Sequence, residues 1–304
     1  MYLQHYLKEL GYLALPDFLI KYLKTPSLLR LKKVGYFCGM DYASKDIYNF
    51  REYISRYDHS ITVSLIFYKL TRNKIAALAG LFHDIATPCF SHVIDYMNED
   101  YEKQESTEEY TEYILRKDRY LLKCLKEDNI NINDIINFKR YPIVDNDRPK
   151  VCADRVDGVI LTGIGWTKNV SKEDITRIVQ DMRVYINESN EEEIGFRSLS
   201  VAKKVLEVSK SIDVYCHSRE DNYMMQLLAQ ITKLAINRKY ILYDELYFYT
   251  EEELFSLLKG INDEELSSLI LKFESVKVEE ILDLELPKVK IRSLHPLVNG
   301  TRIL

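Results

Sequence analysis

No run of eighteen apolar residues occurs in the 304-residue chain, so a membrane-spanning helix is not expected. No cleavable leader pattern is visible either, and a soluble, cytoplasmic protein is the expectation. The five cysteines, Cys38, Cys89, Cys124, Cys152 and Cys216, show no CxxC spacing. That excludes a zinc ribbon and argues for reduced thiols over a disulfide framework. A long basic stripe is also missing. With 42 basic and 47 acidic residues the net charge is −5, and nucleic acid is not indicated as the main partner. There is no internal repeat and no low-complexity linker. What remains is a chain that is 46% hydrophobic, enough for one large domain or a core with an accessory lobe.

Against these absences, one stretch stands out: Ala79 to Tyr96, AGLFHDIATPCFSHVIDY. Ile75, Leu78, Ala79 and Phe82 are spaced as one apolar helix face, and the run ends in the pair His83-Asp84. After the breaker Pro88, Ser91 is positioned to cap a short helix carrying His92 and Asp95. An imidazole beside a carboxylate suits a divalent metal of intermediate hardness. Adjacent helical residues diverge by about 100°, so the pair can occupy neighbouring corners of a coordination sphere but cannot complete it.

The rest of the chain reads as mostly α. Residues 1–24 form a helix or helix pair broken near Pro16, and Thr25-Pro26 opens the next one, with the threonine hydroxyl as cap. Ser55 or Asp58 can cap a helix with His59, Val63, Ile66, Phe67 and Leu70 along one buried stripe. Glu102 to Leu125 is charged and helical. VCADRVDGVILTG is a buried helix that carries Asp154 and Asp157. Ser171 with Asp174, Thr250 with Glu253, and Asn262 with Glu265 mark further helix starts. MRVYIN and EEIGFRS around ESNE give the strongest hairpin signal. PKVKIRSLHPLVNG alternates enough for a short strand or extended tail. We expect a core over 1–165 and a carboxy-terminal helical lobe with the hairpin over 166–304, packed as one unit.

His59, His83-Asp84 and Asp154 together form an H…HD…D pattern. Two imidazoles and two carboxylates would fill four positions of an octahedral site and leave two for water and substrate. From here the chain resembles the HD-domain superfamily, specifically the deoxynucleoside triphosphate triphosphohydrolases related to the SAM- and HD-domain-containing enzyme. TPSLLRLKKVG, SRYDHSITVS, HDIATPCFSHVID and ADRVDGV follow the family's motifs in order, and VYCH and the closing segment extend the likeness.

The resemblance implies an α-helical HD-domain bundle and one divalent metal (iron, manganese, magnesium or zinc) held by His59, His83, Asp84 and Asp154. It places Arg56 and Arg155 on substrate phosphates, Tyr215 in the substrate pocket, and His92 with Asp95 at the catalytic centre. It also implies a homo-oligomer, a dimer or larger. The departures are as informative. Thr87 and Gln104 stand where the family has two catalytic histidines, and neither exchanges a proton at neutral pH. Gly158 replaces a pocket tyrosine and Thr162 a sugar-binding aspartate. The expected function is a metal-dependent phosphohydrolase acting on a nucleotide or related phosphate ester. A degenerate subunit that binds nucleotide and metal without turnover is the alternative. A di-iron oxygenase is disfavoured, because His92 alone lies between the HD pair and the final acid.

Overall fold

The structure is a computed structural model that describes residues 1–100, 110–281 and 294–303. The amino-terminal third begins with α1 (Tyr2–Glu9), α2 (Asp17–Tyr22) and α3 (Pro26–Arg30). Proline takes the first position of α3 as expected, but the Thr25 hydroxyl makes no cap bond. A long connection then leads to α4 (Arg56–Thr71). Ser55 caps α4 in a reciprocal box with Asp58, so the serine and the aspartate act together.

The expected single apolar stripe of α4 is corrected by the structure. Eleven of its sixteen residues, including Arg56, His59, Ser60 and Thr62, are buried, because α4 is the central helix and has neighbours on most sides. Such burial requires its polar groups to be satisfied internally. Thr62 donates back to the Asp58 and His59 carbonyls, and Ser64 to that of Ala77.

Against α4 lie α5 (Lys74–Phe82), capped by Asn73, and α10 (Ala153–Gly165), with the short α6 (Val93–Met97) between them in sequence. Ser91 does not cap α6. Phe90 and Ser91 adopt left-handed backbone angles (φ 67° and 48°), His92 occupies the cap position, and the Ser91 hydroxyl accepts from Arg56 Nε instead. Within the expected 102–125 helix, residues 101–109 lie outside the described ones. The remainder is split by Asp118 into α7 (Thr111–Lys117) and α8 (Arg119–Glu127), followed by α9 (Asn133–Ile136).

The second half begins with α11 (Lys172–Asp181), whose Ser171–Asp174 capping box forms as read. The hairpin forms as β1 (Met182–Ile186) and β2 (Glu192–Phe196), antiparallel with Met182 opposite Phe196. The sheet is larger than a hairpin, however. The closing segment supplies β3 (Leu297–Val298), parallel to β2, and β4 (Thr301–Arg302), giving the order β1-β2-β3-β4. Arg302 locks this return by pairing with Glu188 and with the fully buried Glu193.

Two long helices, α12 (Leu199–Cys216) and α13 (Arg219–Asn237), pack on α10 and α6 respectively. Then come α14 (Glu251–Lys259), with its Thr250–Glu253 box, and α15 (Glu264–Ser275). The cap of α15 is Asp263, which accepts from Leu266 N, not Asn262. Buried apolar residues from both halves belong to one continuous core, and the fold is mostly helical as expected.

Candidate metal centre

Four elements deliver the site. The first turn of α4 supplies Arg56 and His59, the end of α5 supplies His83 and Asp84, the first turn of α10 supplies Asp154, and the turn before α6 supplies His92. His59, His83 and Asp154 each offer one atom, and the three lie within 4.8 Å of one another. His59 Nε2 is 3.1 Å and His83 Nε2 3.6 Å from Asp154 Oδ1. Asp84 faces both imidazoles, with Oδ2 3.6 Å from His59 Nε2 and Oδ1 3.5 Å from His83 Nε2.

Both imidazoles are held by their other nitrogen. His83 Nδ1 meets the Gly80 carbonyl at 2.8 Å, and a carbonyl can only accept. Nδ1 therefore carries a proton, and Nε2, buried without a hydrogen-bond partner, faces the centre, where the neutral imidazole that a metal takes would present its lone pair. His59 Nδ1 donates at 2.7 Å to Asp157 Oδ2, and Tyr6 Oη donates at 2.6 Å to the other Asp157 oxygen. Asp157 is completely buried. A carboxylate holding a ligand imidazole in one tautomer is the usual outer support of a metal site.

The electrostatics point the same way. Burial disfavours the charged form of His59, yet hydrogen bonds to Asp154 and Asp157 push its pKa up to about 10. His83 is likewise raised, burial being outweighed by Asp84 and Asp154. Asp154 and Asp84 are both lowered; burial opposes this, but the two imidazoles, and for Asp84 also Arg56, prevail. A buried cluster that draws protons onto its imidazoles has an excess of negative charge that a divalent cation would neutralise. The donor set of imidazole and carboxylate, with the His83 lone pair unpartnered, fits iron, manganese or zinc, and the carboxylates suit magnesium.

Arg56 lies at one side of this centre. Its Nη1 donates to Asp84 at 2.9 Å and its guanidinium lies 4.9 Å from the Tyr36 ring centroid. His92 is turned by Asp95, Nδ1 to Oδ2 2.8 Å, and Asp95 is fully buried. Arg155 is on the same wall, but its guanidinium is bound to Asp145, to the Asn146 side chain and carbonyl, and to the Lys150 carbonyl. Thr87 is buried and is not among the residues lining the cavity; its carbonyl accepts from Arg30 Nη2 at 2.5 Å. Tyr215 is also outside the lining, partly exposed and edge-on to Trp166 with ring centroids 5.5 Å apart. Gln104 lies outside the described residues.

The centre opens into a cavity of about 290 Å³. Its lining includes the polar group His83, Asp84, Asp154, Arg56 and His92, and an aromatic group, Phe37, Tyr48, Phe50 and Trp166, whose rings contact one another. Phe37 and Phe50 stack at 4.3 Å, and Tyr48 Oη donates at 2.6 Å to Asp221, a buried carboxylate on the same cavity. Asp157, Tyr6, Tyr36 and Asp221 were not singled out by sequence. Only Asp157 had a usable signal, a second carboxylate three residues after Asp154 on a mostly apolar helix.

A family model described as HD domain matches residues 56–159, and the chain contains an HD domain. Among curated proteins, it is 23% identical over 218 residues to the uncharacterized protein YdhJ of Bacillus subtilis. That alignment covers 71% of this chain and 65% of YdhJ, just under two thirds of the relative's length. It is 22% identical over 253 residues to the metal-dependent phosphohydrolase cns2 of Cordyceps militaris, covering 80% of this chain and 70% of cns2.

Proposed function

We propose that this chain is a metal-dependent phosphohydrolase acting on a nucleotide or related phosphate ester. The observation that carries the reading is the trio of the buried His59 and His83 and the half-buried Asp154, with the His83 lone pair unpartnered, beside a cavity lined by His83 and Asp154. The printed name of cns2 supports the reaction class. A divalent ion at this position supplies Lewis acidity toward water and a phosphoryl oxygen. Asp84 shares its oxygens between the two imidazoles and Arg56, and completes the ligand set.

The side chains do the remaining work. Arg56 spends Nε and Nη1 on Ser91 and Asp84; Nη2 makes no hydrogen bond among the described residues and offsets charge on the phosphoryl group. His92, oriented by Asp95, takes the proton of the attacking water. The aromatic group of the lining suits stacking of a planar base. A cavity of about 290 Å³ sits at the lower edge of the ~300–1,000 Å³ range of ligand sites, which favours a mononucleotide over a triphosphate.

The alternative, binding without turnover, draws on Thr87, which brings no proton-transfer group to the cavity. Metal-loaded protein, screened against nucleoside mono-, di- and triphosphates, decides between the two. Metal-dependent phosphate release that is lost in His83→Ala supports hydrolysis. Stoichiometric nucleotide binding with no phosphate release overturns it in favour of the binder.

A further inference from the structure

The phosphohydrolase reading requires something to meet the oxygen that leaves with the alcohol. Of the two positions where the resemblance would put histidines, Thr87 is not on the cavity wall and position 104 lies outside the described residues. One side chain that sequence comparison did not mark is placed to do so.

Tyr36 is pinned by its backbone. Gly35 bridges to Ser55, Tyr36 N donates to the Ile54 carbonyl at 2.9 Å, and Arg56 N donates to that of Val34 at 2.9 Å. The connection before α4 is thus zipped to the segment entering α4, and the Tyr36 ring is delivered between site residues. Its centroid lies 5.1 Å from that of His59, 4.9 Å from the Arg56 guanidinium and 5.6 Å from the Phe37 ring. His59 belongs to the candidate metal centre and Arg56 to the polar wall of the cavity beside it, whereas Phe37 is one of the aromatic residues of the same cavity.

The phenolic oxygen reaches Gly158. A Cβ at position 158 would lie 2.9 Å from Tyr36 Oη, so the space is available only because that residue is glycine. Gly158 is the position where the resembled family carries a tyrosine. A phenol from the α3–α4 connection here occupies the volume vacated on α10. Among the described residues Tyr36 Oη makes no hydrogen bond, although Tyr36 lines the cavity. A phenol is protonated at neutral pH and can donate.

We infer that Tyr36 is a catalytic hydrogen-bond donor directed at the bridging oxygen of the ester. The argument is positional. That oxygen joins the phosphoryl group, which belongs beside Arg56 and the metal centre, to the alcohol, which belongs against the aromatic residues of the lining. Tyr36 touches both groups, through His59 and Arg56 on the one hand and Phe37 on the other. As water's oxygen bonds to phosphorus and the P–O bond to the alcohol breaks, the electron pair of that bond stays on the alcohol oxygen; the Tyr36 hydroxyl donates a hydrogen bond to the growing charge, and solvent supplies the proton that completes the alcohol.

The experiment compares Tyr36→Phe with the unaltered metal-loaded protein on two esters. Phenylalanine keeps the ring contacts to Arg56 and His59 and removes only the hydroxyl. A nucleoside monophosphate, with a poor leaving group, should lose roughly 10²-fold in kcat. p-Nitrophenyl phosphate, whose leaving group needs no donor, should change by less than about threefold. Metal content and binding of inorganic phosphate, which lacks the ester oxygen, should be unchanged. Gly158→Ala, whose Cβ displaces Oη, should reproduce the same leaving-group dependence.

Equal losses on both esters, or no loss on either, overturn the inference while leaving the phosphohydrolase reading intact. Weakened inorganic phosphate binding in Tyr36→Phe moves the donor to a non-bridging oxygen and likewise overturns it. An unaltered protein inert toward both esters removes the reading on which the inference rests, and the inference with it.

Discussion

Asp157→Asn tests whether the metal centre depends on a residue that cannot itself reach the metal-facing atoms. Asp157 accepts from His59 Nδ1 at 2.7 Å and from Tyr6 Oη at 2.6 Å, in a position with no solvent exposure. Asparagine has nearly the same shape but offers one acceptor and one donor. If its oxygen keeps Tyr6, its NH₂ faces His59 Nδ1, and two N–H groups cannot meet. The imidazole must then carry its proton on Nε2, the atom 3.1 Å from Asp154, where a metal would bind. If the amide flips, His59 keeps its tautomer but the Tyr6 hydroxyl loses its acceptor.

Loss of such a supporting carboxylate costs ~10–100-fold in metal affinity. This corresponds to ~1.4–2.8 kcal/mol. A buried donor left unpaired costs a further ~1–3 kcal/mol of folding stability. The assay is competition between metal-free protein and a calibrated chelator for Mn²⁺ at constant neutral pH, with thermal melting of the metal-free forms alongside. Tyr6→Phe is the control, because it removes a bond to Asp157 without presenting a donor to His59. It should lower stability by ~0.5–1.5 kcal/mol, with metal affinity nearly unaltered. An Asp157→Asn variant that binds Mn²⁺ as tightly as the unaltered protein, or a Tyr6→Phe variant that loses as much affinity as Asp157→Asn, would refute the tautomer argument.

Three further outcomes are expected. Burial, with Asp41 beside it, raises the fully buried Glu251 to about 8 from an ordinary 4.5. The folded state then keeps a proton that the unfolded chain gives up, so this contribution to stability is complete below pH 4.5 and lost as pH rises through about 8. Glu251→Gln should flatten that decline, melting higher than the unaltered protein above pH 8 and not near pH 4.5, as read from melting curves across pH. Thr87→His, at a position only 1% exposed, should overpack the core and cost ~1–3 kcal/mol; a measured gain in deoxynucleotide hydrolysis would contradict this. Light scattering should find a dimer or larger, and a lone 35.9 kDa species with and without nucleotide removes that expectation.

The signals that read correctly in sequence are those carried by short-range geometry. The Ser171–Asp174 and Thr250–Glu253 boxes each join residues three apart, and each forms; at α4 the sequence offered Ser55 or Asp58 as the cap, and the structure joins the two in one box. The β1–β2 hairpin is equally local. At Ser91 and along α4 the local rule failed because distant partners had claimed the residues. Ser91 gave up its expected cap role to accept from Arg56, 35 positions away. The α4 stripe became a helix buried at eleven of its sixteen positions because packing partners arrive from both halves of the chain.

The same distinction runs through the candidate site. The residue types His59, His83, Asp84 and Asp154, and the helices that carry them, follow from the sequence, because helical period and dipeptide chemistry depend on near neighbours. Their convergence within hydrogen-bonding reach was decided by the packing of α4, α5 and α10. So was the hold on His59, which comes through Asp157 from Tyr6, 151 positions earlier in the chain. Tyr36 over Gly158 is a relation of the same kind, a side chain filling a gap that a glycine 122 positions away leaves open. Periodicity reveals which face of a helix is buried, but not which atoms meet that face. That depends on packing between distant parts of the chain, and only the tertiary structure supplies it.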